Sequence, residues 1–411
     1  MKKILILGVG AQGSTVAQRL DEEPAVDEII CADFDEKAVS NLVKMLKKAR
    51  GMRVDAGNRK EIVEAAKGAD LLVNALPLEF GRQALEAALE AGTHYQDFAA
   101  CTNILQTGNP HEDWINGIRI MYSDYDKRFA AIGKTAIIGT GSAPGLICVL
   151  ARRVVRELDN CDTIIMMVYE GAEAKRFLPF WWSPVTALSD MQESAVAHRN
   201  GKLTVTSPFS DPVRRKFPEL GGLEVEMIEH AHDEPVYMGR NAEAFFKGAK
   251  NIYFKYGGVG VTFARPLYRA GLLSKREEVI KGRAVVPFDV VLAHIPPAPK
   301  SRDEIKGILE EGLIADCGAF VVEAYGTKDG KDVLADAHIF APGLVDSFKK
   351  SGLTAEMYLT GQSGFLFTKM LVNGYIGNQG LISSDMLTDD QVDRYLDFAA
   401  ELNINYKIEI R

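Results

Sequence analysis

An uninterrupted apolar run, Ile4-Leu5-Ile6-Leu7, passes directly into Gly8-Val9-Gly10-Ala11-Gln12-Gly13, and helical spacing starts at once with Val16, Ala17 and Leu20. A buried strand, a glycine turn and a helix in that order leave few folds open. Gly8 permits the tight turn, Gly10 lets a diphosphate approach the backbone, and Gly13 lets the helix pack on the strand. The diphosphate then lies against unpaired N–H groups at the positive end of the helix dipole. Gly8, Gly10, Ala11, Gln12 and Gly13 are therefore the candidate cofactor loop. A second strand at 28–32 ends at Asp33, roughly 20 residues beyond the last glycine, where a carboxylate accepts hydrogen bonds from the adenosine ribose and repels a 2′-phosphate. Phe34 and Asp35 follow and bring no Arg, so the expected cofactor is NAD, with NADP as the lesser expectation.

A third strand at 52–54 ends at Asp55 and a fourth at 71–75 ends in Asn74-Ala75-Leu76-Pro77, on the carboxyl edge where open parallel sheets bind ligands. Asp55 either meets the adenine or makes a loop turn. Asn74, Ala75, Leu76 and Pro77 either line the path to the nicotinamide or only turn the chain. A helix marked by Leu85, Ala88 and Leu89 and strands at 94–97 and 135–138 complete an α/β alternation. Between the last two, 103–122 reads as an irregular excursion rich in Asn, Gly and Pro.

From 162 onward the pattern changes to strand-like runs at 163–169, 224–228 and 284–291 with long loops. Residues 315–324 and 333–340, joined by a turn at 326–330, read as a β-hairpin, and the tail from Gly361 reads as helical. At 411 residues the chain exceeds the size of a single core. The expected fold class is α/β, an N-terminal Rossmann doubly wound parallel sheet with a second mixed α/β domain. The expected division is 1–140 for the cofactor, 141–360 for substrate and dimerisation, and a helical 361–411 packing back on the others.

The chain has 48 basic and 56 acidic residues, a net charge of -8, which opposes nucleic-acid binding. Five scattered cysteines without a C-x-x-C pair speak against a disulfide framework and a metal site, and for a reducing cytoplasm. Lys2-Lys3 before an apolar run imitates a secretion signal, but no small-residue cleavage site follows and a buried strand explains the run. No apolar run reaches membrane-spanning length, so no membrane partner is expected.

The chain resembles the saccharopine dehydrogenase (saccharopine reductase) family, which includes lysine 6-dehydrogenases and carboxynorspermidine dehydrogenases. The likeness rests on the glycine loop, Asn74 to Pro77, His94-Tyr95-Gln96-Asp97, Gly141-Ser142-Ala143-Pro144-Gly145, Trp182-Ser183-Pro184, Tyr256-Gly257-Gly258 and the leucine-glycine pattern at 267–273. It implies hydride transfer at a carbon bearing nitrogen, in an amino-acid derivative that is saccharopine-like, lysine or a carboxy-polyamine. That chemistry needs a proton shuttle and carboxylate anchors.

On that basis Asp97 either steadies an iminium cation or serves as a turn residue. Gly141, Ser142, Pro144 and Gly145 either bind a carboxylate through backbone N–H groups or form an interdomain hinge. Trp182 roofs the substrate or packs. Arg240 pairs with a substrate carboxylate or with a surface acid. His230-Ala231-His232-Asp233-Glu234-Pro235 has metal-like composition, but sequence places no third ligand and a turn is expected. Two features depart from the family pattern: the excursion, and Gln96 where an apolar residue is usual. A homodimer is the expected assembly. An NAD-binding sensor or scaffold without turnover, and lysine 6-dehydrogenation by oxidative deamination, remain the alternatives.

Overall fold

The computed structural model describes residues 2–99 and 110–411. The chain divides into one compact unit of Met1–Arg153 with Met357–Leu402 and another of Val154–Glu356 with Asn403–Arg411.

The first unit alternates β1 (Lys2–Leu7), α1 (Ala11–Glu22), β2 (Val26–Asp33), α2 (Glu36–Val43), β3 (Ala49–Arg53), α3 (Arg59–Ala66), β4 (Leu71–Asn74), α4 (Gly81–Ala91), β5 (His94–Asp97), α5 (Pro110–Ile120), α6 (Asp126–Ala131) and β6 (Thr135–Ile138). The strands pair in the order β3-β2-β1-β4-β5-β6, and Gly380–Ser383 adds a seventh beyond β6. Every pairing is parallel. Ile4 to Leu7 and Leu71 to Val73 are buried throughout, as strands covered on both faces must be. The order reverses between β1 and β4, which makes their carboxyl ends the switch point where such sheets bind ligands.

The second unit is built on a mixed sheet in which β7 (Asn160–Glu170), after α7 (Leu146–Val155), is central. Asn251–Gly258 pairs with β7 in parallel, and Gly318–Lys328 pairs with its other edge antiparallel. Lys331–Phe340 and Asn405–Ile410 extend one side, and Ala195–Arg199 and Lys202–Thr206 the other. The fold class expected from the sequence, α/β with a parallel sheet and a second mixed sheet, is the one observed.

Four local expectations are corrected. The excursion lies partly outside the described residues, but 110–120 is α5 and runs into a π-helical turn, Met121–Tyr125. Its signal is a buried stripe at Ile118, Met121, Tyr122, Tyr125 and Phe129, whose helical spacing outweighs the local Asn and Gly. The strand expected at 284–291 stops at Val285, and Pro287 opens a helix, Pro287–Leu292, as Pro does at a first helical position. The hairpin turn is two residues, Asp329-Gly330, both at positive φ, and the first strand continues through Gly326 to Lys328. The tail is not wholly helical: after Ala355–Val372 it forms strand Gly380–Ser383, helix Asp389–Glu401 and strand Asn405–Ile410.

Candidate active site

Gly8 takes φ +92°, and a Cβ there would stand 2.8 Å from the Ala75 carbonyl oxygen at the end of β4. A Cβ on Gly13 would lie 1.9 Å from the Gly8 carbonyl oxygen, so α1 can approach β1 only with glycine there. Gly10 differs from both: it faces open space with no atom within 4 Å of an added Cβ. It caps α1 without a side chain, and no acidic residue occupies the first turn. The first α1 amides, at Ala11, Gln12 and Gly13, lie beyond the helical ladder. An anion set before Gly10 meets those donors and no protein charge of its own sign in that turn.

The Asp33 carboxylate accepts from Val9 N at 2.8 Å and from Asp35 N at 3.1 Å, so it braces the glycine turn as well as ending β2. Two carboxylate oxygens offer about four lone-pair sites, which leaves room for ribose hydroxyls. The sheet register sets Arg53 opposite Asp33. Its guanidinium is half exposed and 4.0 Å from Glu36. The segment after Asp33 carries no Arg, but β3 supplies one, and only strand pairing reveals it. Asp55 is exposed and accepts from Gly57 N at 2.9 Å, so it makes the loop turn. Asn74 is buried, donates to Tyr95 OH at 2.9 Å and accepts from Leu76 N at 3.2 Å. It therefore shapes the Ala75-Leu76-Pro77 bend beside Gly8.

Asp97 is only 3% exposed. Tyr95 OH donates to one of its oxygens at 3.1 Å and Gly139 N to the other at 3.0 Å. Gln96 is fully buried and donates to the Gly364 carbonyl at 2.8 Å while accepting from Thr368 Oγ1 at 2.9 Å. The residue that departs from the family pattern thus fastens helix Ala355–Val372 to β5. Three carbonyls of the Gly141–Gly145 loop cap the start of α7. Leu146 N, Ile147 N and Cys148 N bond the carbonyls of Gly141, Ser142 and Gly145 at 2.9, 3.0 and 2.9 Å. Ser142 Oγ meets Thr360 Oγ1 at 2.8 Å, and Pro144 follows a cis bond. The opening amides of α7 are thereby satisfied, and the carboxylate role of this loop finds no donors among them.

In the second unit, Trp182 Nε1 donates to Glu170 Oε2 at 3.0 Å, and Tyr256 OH donates to the same oxygen. Gly258 pairs with Glu170 in register, so period-two alternation puts Tyr256 and Glu170 on one sheet face. Burial pushes the Glu170 carboxyl above its ordinary range despite those two donors. Burial, reinforced by the charge of Glu170, lifts Glu356 to about 8. Asp190, on helix Pro184–Gln192, is lifted to about 8, mainly by burial. His232 Nδ1 lies 2.6 Å from Glu234 Oε2, and its ring stacks on Phe254 with centroids 3.8 Å apart. Sequence indicated Trp182, Tyr256 and the His230 to Glu234 segment but missed Glu170, Glu356 and Asp190, which carry no motif around them. Arg240, exposed at the end of helix Glu234–Arg240, bonds Asn241 Oδ1 at 3.2 Å. Trp181 is buried, with its indole N–H on the Ala172 carbonyl. Among the described residues, no group of three or more His, Cys, Asp or Glu is placed to hold a metal ion, and no helix is long and apolar enough to cross a membrane.

Comparison with known proteins bears on both units. Residues 4–137 match the model of the saccharopine dehydrogenase NADP binding domain. Carboxynorspermidine synthase of Vibrio alginolyticus is 27% identical over 350 residues, spanning 80% of this chain and 79% of that protein. Carboxyaminopropylagmatine dehydrogenase of Synechocystis is 20% identical over 397 residues, spanning 95% and 94%. Apo saccharopine dehydrogenase (L-Glu forming) from Saccharomyces cerevisiae superposes with a TM-score of 0.70 at 13% identity over 100% of both chains, which shows the shared fold. The first third of the chain is thus similar to the saccharopine dehydrogenase NADP binding domain, and the chain as a whole is similar to these two enzymes over most of its length.

Proposed function

We propose that this protein is an NAD(P)-dependent dehydrogenase acting at a carbon bearing nitrogen, in an amine that also carries a carboxyl group. The first unit supports the dinucleotide: an open backbone at Gly10, a helix start free of acidic side chains, and a matching NADP-binding-domain model. Asp33 favours NAD, because a fixed carboxylate at the end of β2 repels a 2′-phosphate. Arg53 opposite it is the feature that would favour NADP.

The observation that carries the enzymatic reading over a binding-only sensor is the Glu170, Tyr256, Trp182 and Glu356 cluster. A scaffold has no use for several carboxyls held above their ordinary range beside an indole, whereas perturbed groups gather where chemistry is done. An arriving ammonium lets such carboxyls ionise, and an indole face attracts a cation. The two relatives above are named for a carboxy-substituted amine, which favours a carboxy-polyamine over lysine itself. The bound dinucleotide supplies the hydride chemistry, and the chain supplies binding, orientation and proton movement.

The test is absorbance at the reduced-nicotinamide band with NAD and NADP, run against lysine, saccharopine and carboxyalkyl polyamines, and in reverse with aldehyde plus amine. Turnover of a carboxyalkyl polyamine is expected to exceed that of lysine. Dinucleotide binding without turnover of any amine would leave the sensor reading in its place.

A further inference from the structure

We propose that His232, held by Glu234, is the residue that carries the proton of the substrate nitrogen. The proposal rests on the amine-dehydrogenase reading above and deepens it. Two histidines alternate with other residues at 230 and 232, and their surroundings separate them. His230 is 4% exposed, and among the described residues neither ring nitrogen has a hydrogen-bond partner. Its ring lies 4.9 Å from that of Tyr256. Burial, helped by the neighbouring His232, holds it down to about 3, so it stays neutral.

His232 is half-buried and stacked flat on Phe254, with an interplanar angle of 9° that fixes the ring plane. Glu234, fully buried at the start of its helix, takes the Nδ1 side at 2.6 Å and, among the described residues, has no partner on its other oxygen. With Nδ1 committed to a carboxylate, Nε2 is the position that exchanges a proton, the arrangement that orients an acid–base histidine. The charged and titratable groups that face His232 come from several elements: Glu234 and Asp233 beside it, Asp190 from helix Pro184–Gln192, Glu170 from the end of β7, and neutral His230. Burial alone would depress the imidazole, but Glu234, Asp233 and Asp190 outweigh it and hold it above its ordinary value.

In the oxidative direction the substrate ammonium gives one proton to Nε2 and keeps the lone pair. An oxidised dinucleotide, which the Gly8 to Gly13 loop would hold, would supply the hydride acceptor, and loss of the hydride with its electron pair from the adjacent carbon would leave a C=N bond. The His232 imidazolium returns its proton to water. Reduction runs the same steps backwards, with the imidazolium protonating the product amine.

The experiment compares wild type, His232→Gln, His232→Ala and Glu234→Gln in the full chain, with a carboxyalkyl polyamine and with lysine as probes. His232→Gln is expected to lower kcat by roughly 100-fold or more while changing the dinucleotide Kd less than about twofold, within the scatter of such measurements. Glu234→Gln removes the main charge that lifts the imidazole, so the acid limb of kcat/KM for amine oxidation moves to lower pH. Added imidazole is expected to restore part of the His232→Ala rate, and a purely structural role would not. An unshifted acid limb in Glu234→Gln together with no imidazole rescue overturns the proposal alone. Absence of turnover by the wild type with any amine overturns the reading beneath it as well.

Discussion

The two places where candidate functional groups gather are made of opposite materials. At the switch point of the parallel sheet, recognition falls to backbone: Gly10 open, Gly8 and Gly13 pressed against carbonyl oxygens, and amides at a helix start. Around Glu170, recognition falls to side chains, three of them carboxyls lifted chiefly by burial. The first suits an anion and tolerates almost no added atom. The second suits a cation and depends on charge and protonation. A site of backbone is therefore broken by volume, and a site of side chains by charge.

That contrast is tested most severely within the glycine loop itself. Gly13→Ala places a methyl 1.9 Å from the Gly8 carbonyl oxygen, so α1 must move. The expected result is loss of dinucleotide affinity by about 100-fold or more, with a fall in Tm of several degrees, since overpacking costs about 1–3 kcal/mol. Gly10→Ala meets nothing among the described residues. It should keep Tm and lose only affinity, by roughly tenfold, the worth of about 1.4 kcal/mol. Fluorescence titration with NADH and a thermal melt separate the two. Equal Tm losses in both variants would break the distinction.

Charge comes next. Glu170→Gln keeps the shape of the second cluster and its contacts with Trp182 and Tyr256, but it cannot ionise beside an ammonium. KM for a carboxyalkyl polyamine should rise about tenfold or more, the order of a charge-assisted hydrogen bond of ~1.5–3 kcal/mol. NADH affinity should stay as in the wild type. A variant that lost NADH affinity and kept KM would reverse the roles assigned to the two regions.

The same contrast explains what sequence could and could not tell. Gly8 to Gly13 are contiguous, and each glycine answers a local steric demand, so loop, strand and helix were legible together. Asp33 was legible because its distance from the loop is set by one βαβ unit. Arg53 was not, because only the β2–β3 register brings it opposite Asp33. Glu170 ends a strand with no motif around it, and it becomes conspicuous only when Asn251–Gly258 pairs alongside and sets Tyr256 on its face. Asp97 and the Gly141–Gly145 loop are the opposite case. Their residue types suit a ligand, yet the fold engages Asp97 with Tyr95 and Gly139, and the opening amides of α7 with the loop's own carbonyls.

Gln96 shows how a departure from a family pattern can be structural. Its amide joins β5 to the Gly364 carbonyl and to Thr368. Gln96→Leu leaves these buried groups short of a partner, at a cost of about 1–3 kcal/mol. A chemical-denaturation midpoint should fall, while kcat/KM at a temperature well below the melt holds. A change in substrate preference without a loss of stability would instead place Gln96 at the substrate site.

The smallest expected effect is the most specific to the second region. Glu356 has a folded pKa of about 8, lifted mainly by burial and then by Glu170, against an ordinary value of 4.5. Between those two values the folded state keeps a proton that the unfolded chain has released. Stability then falls as pH rises, because the state that binds more protons is favoured at low pH. The contribution is fully present below about pH 4.5 and is lost as pH climbs through about 8. Glu356→Gln, neutral at every pH, removes this slope. The melting temperature of the variant relative to wild type should therefore rise from pH 5 to pH 9, by a few degrees at most for a chain of this size. The glycine-loop variants should show no such trend, since they change volume and no titrating group. A constant Tm difference across that range in Glu356→Gln would mean that Glu356 is already ionised in the folded protein. The second region would then hold a permanent negative charge rather than one released by an arriving cation.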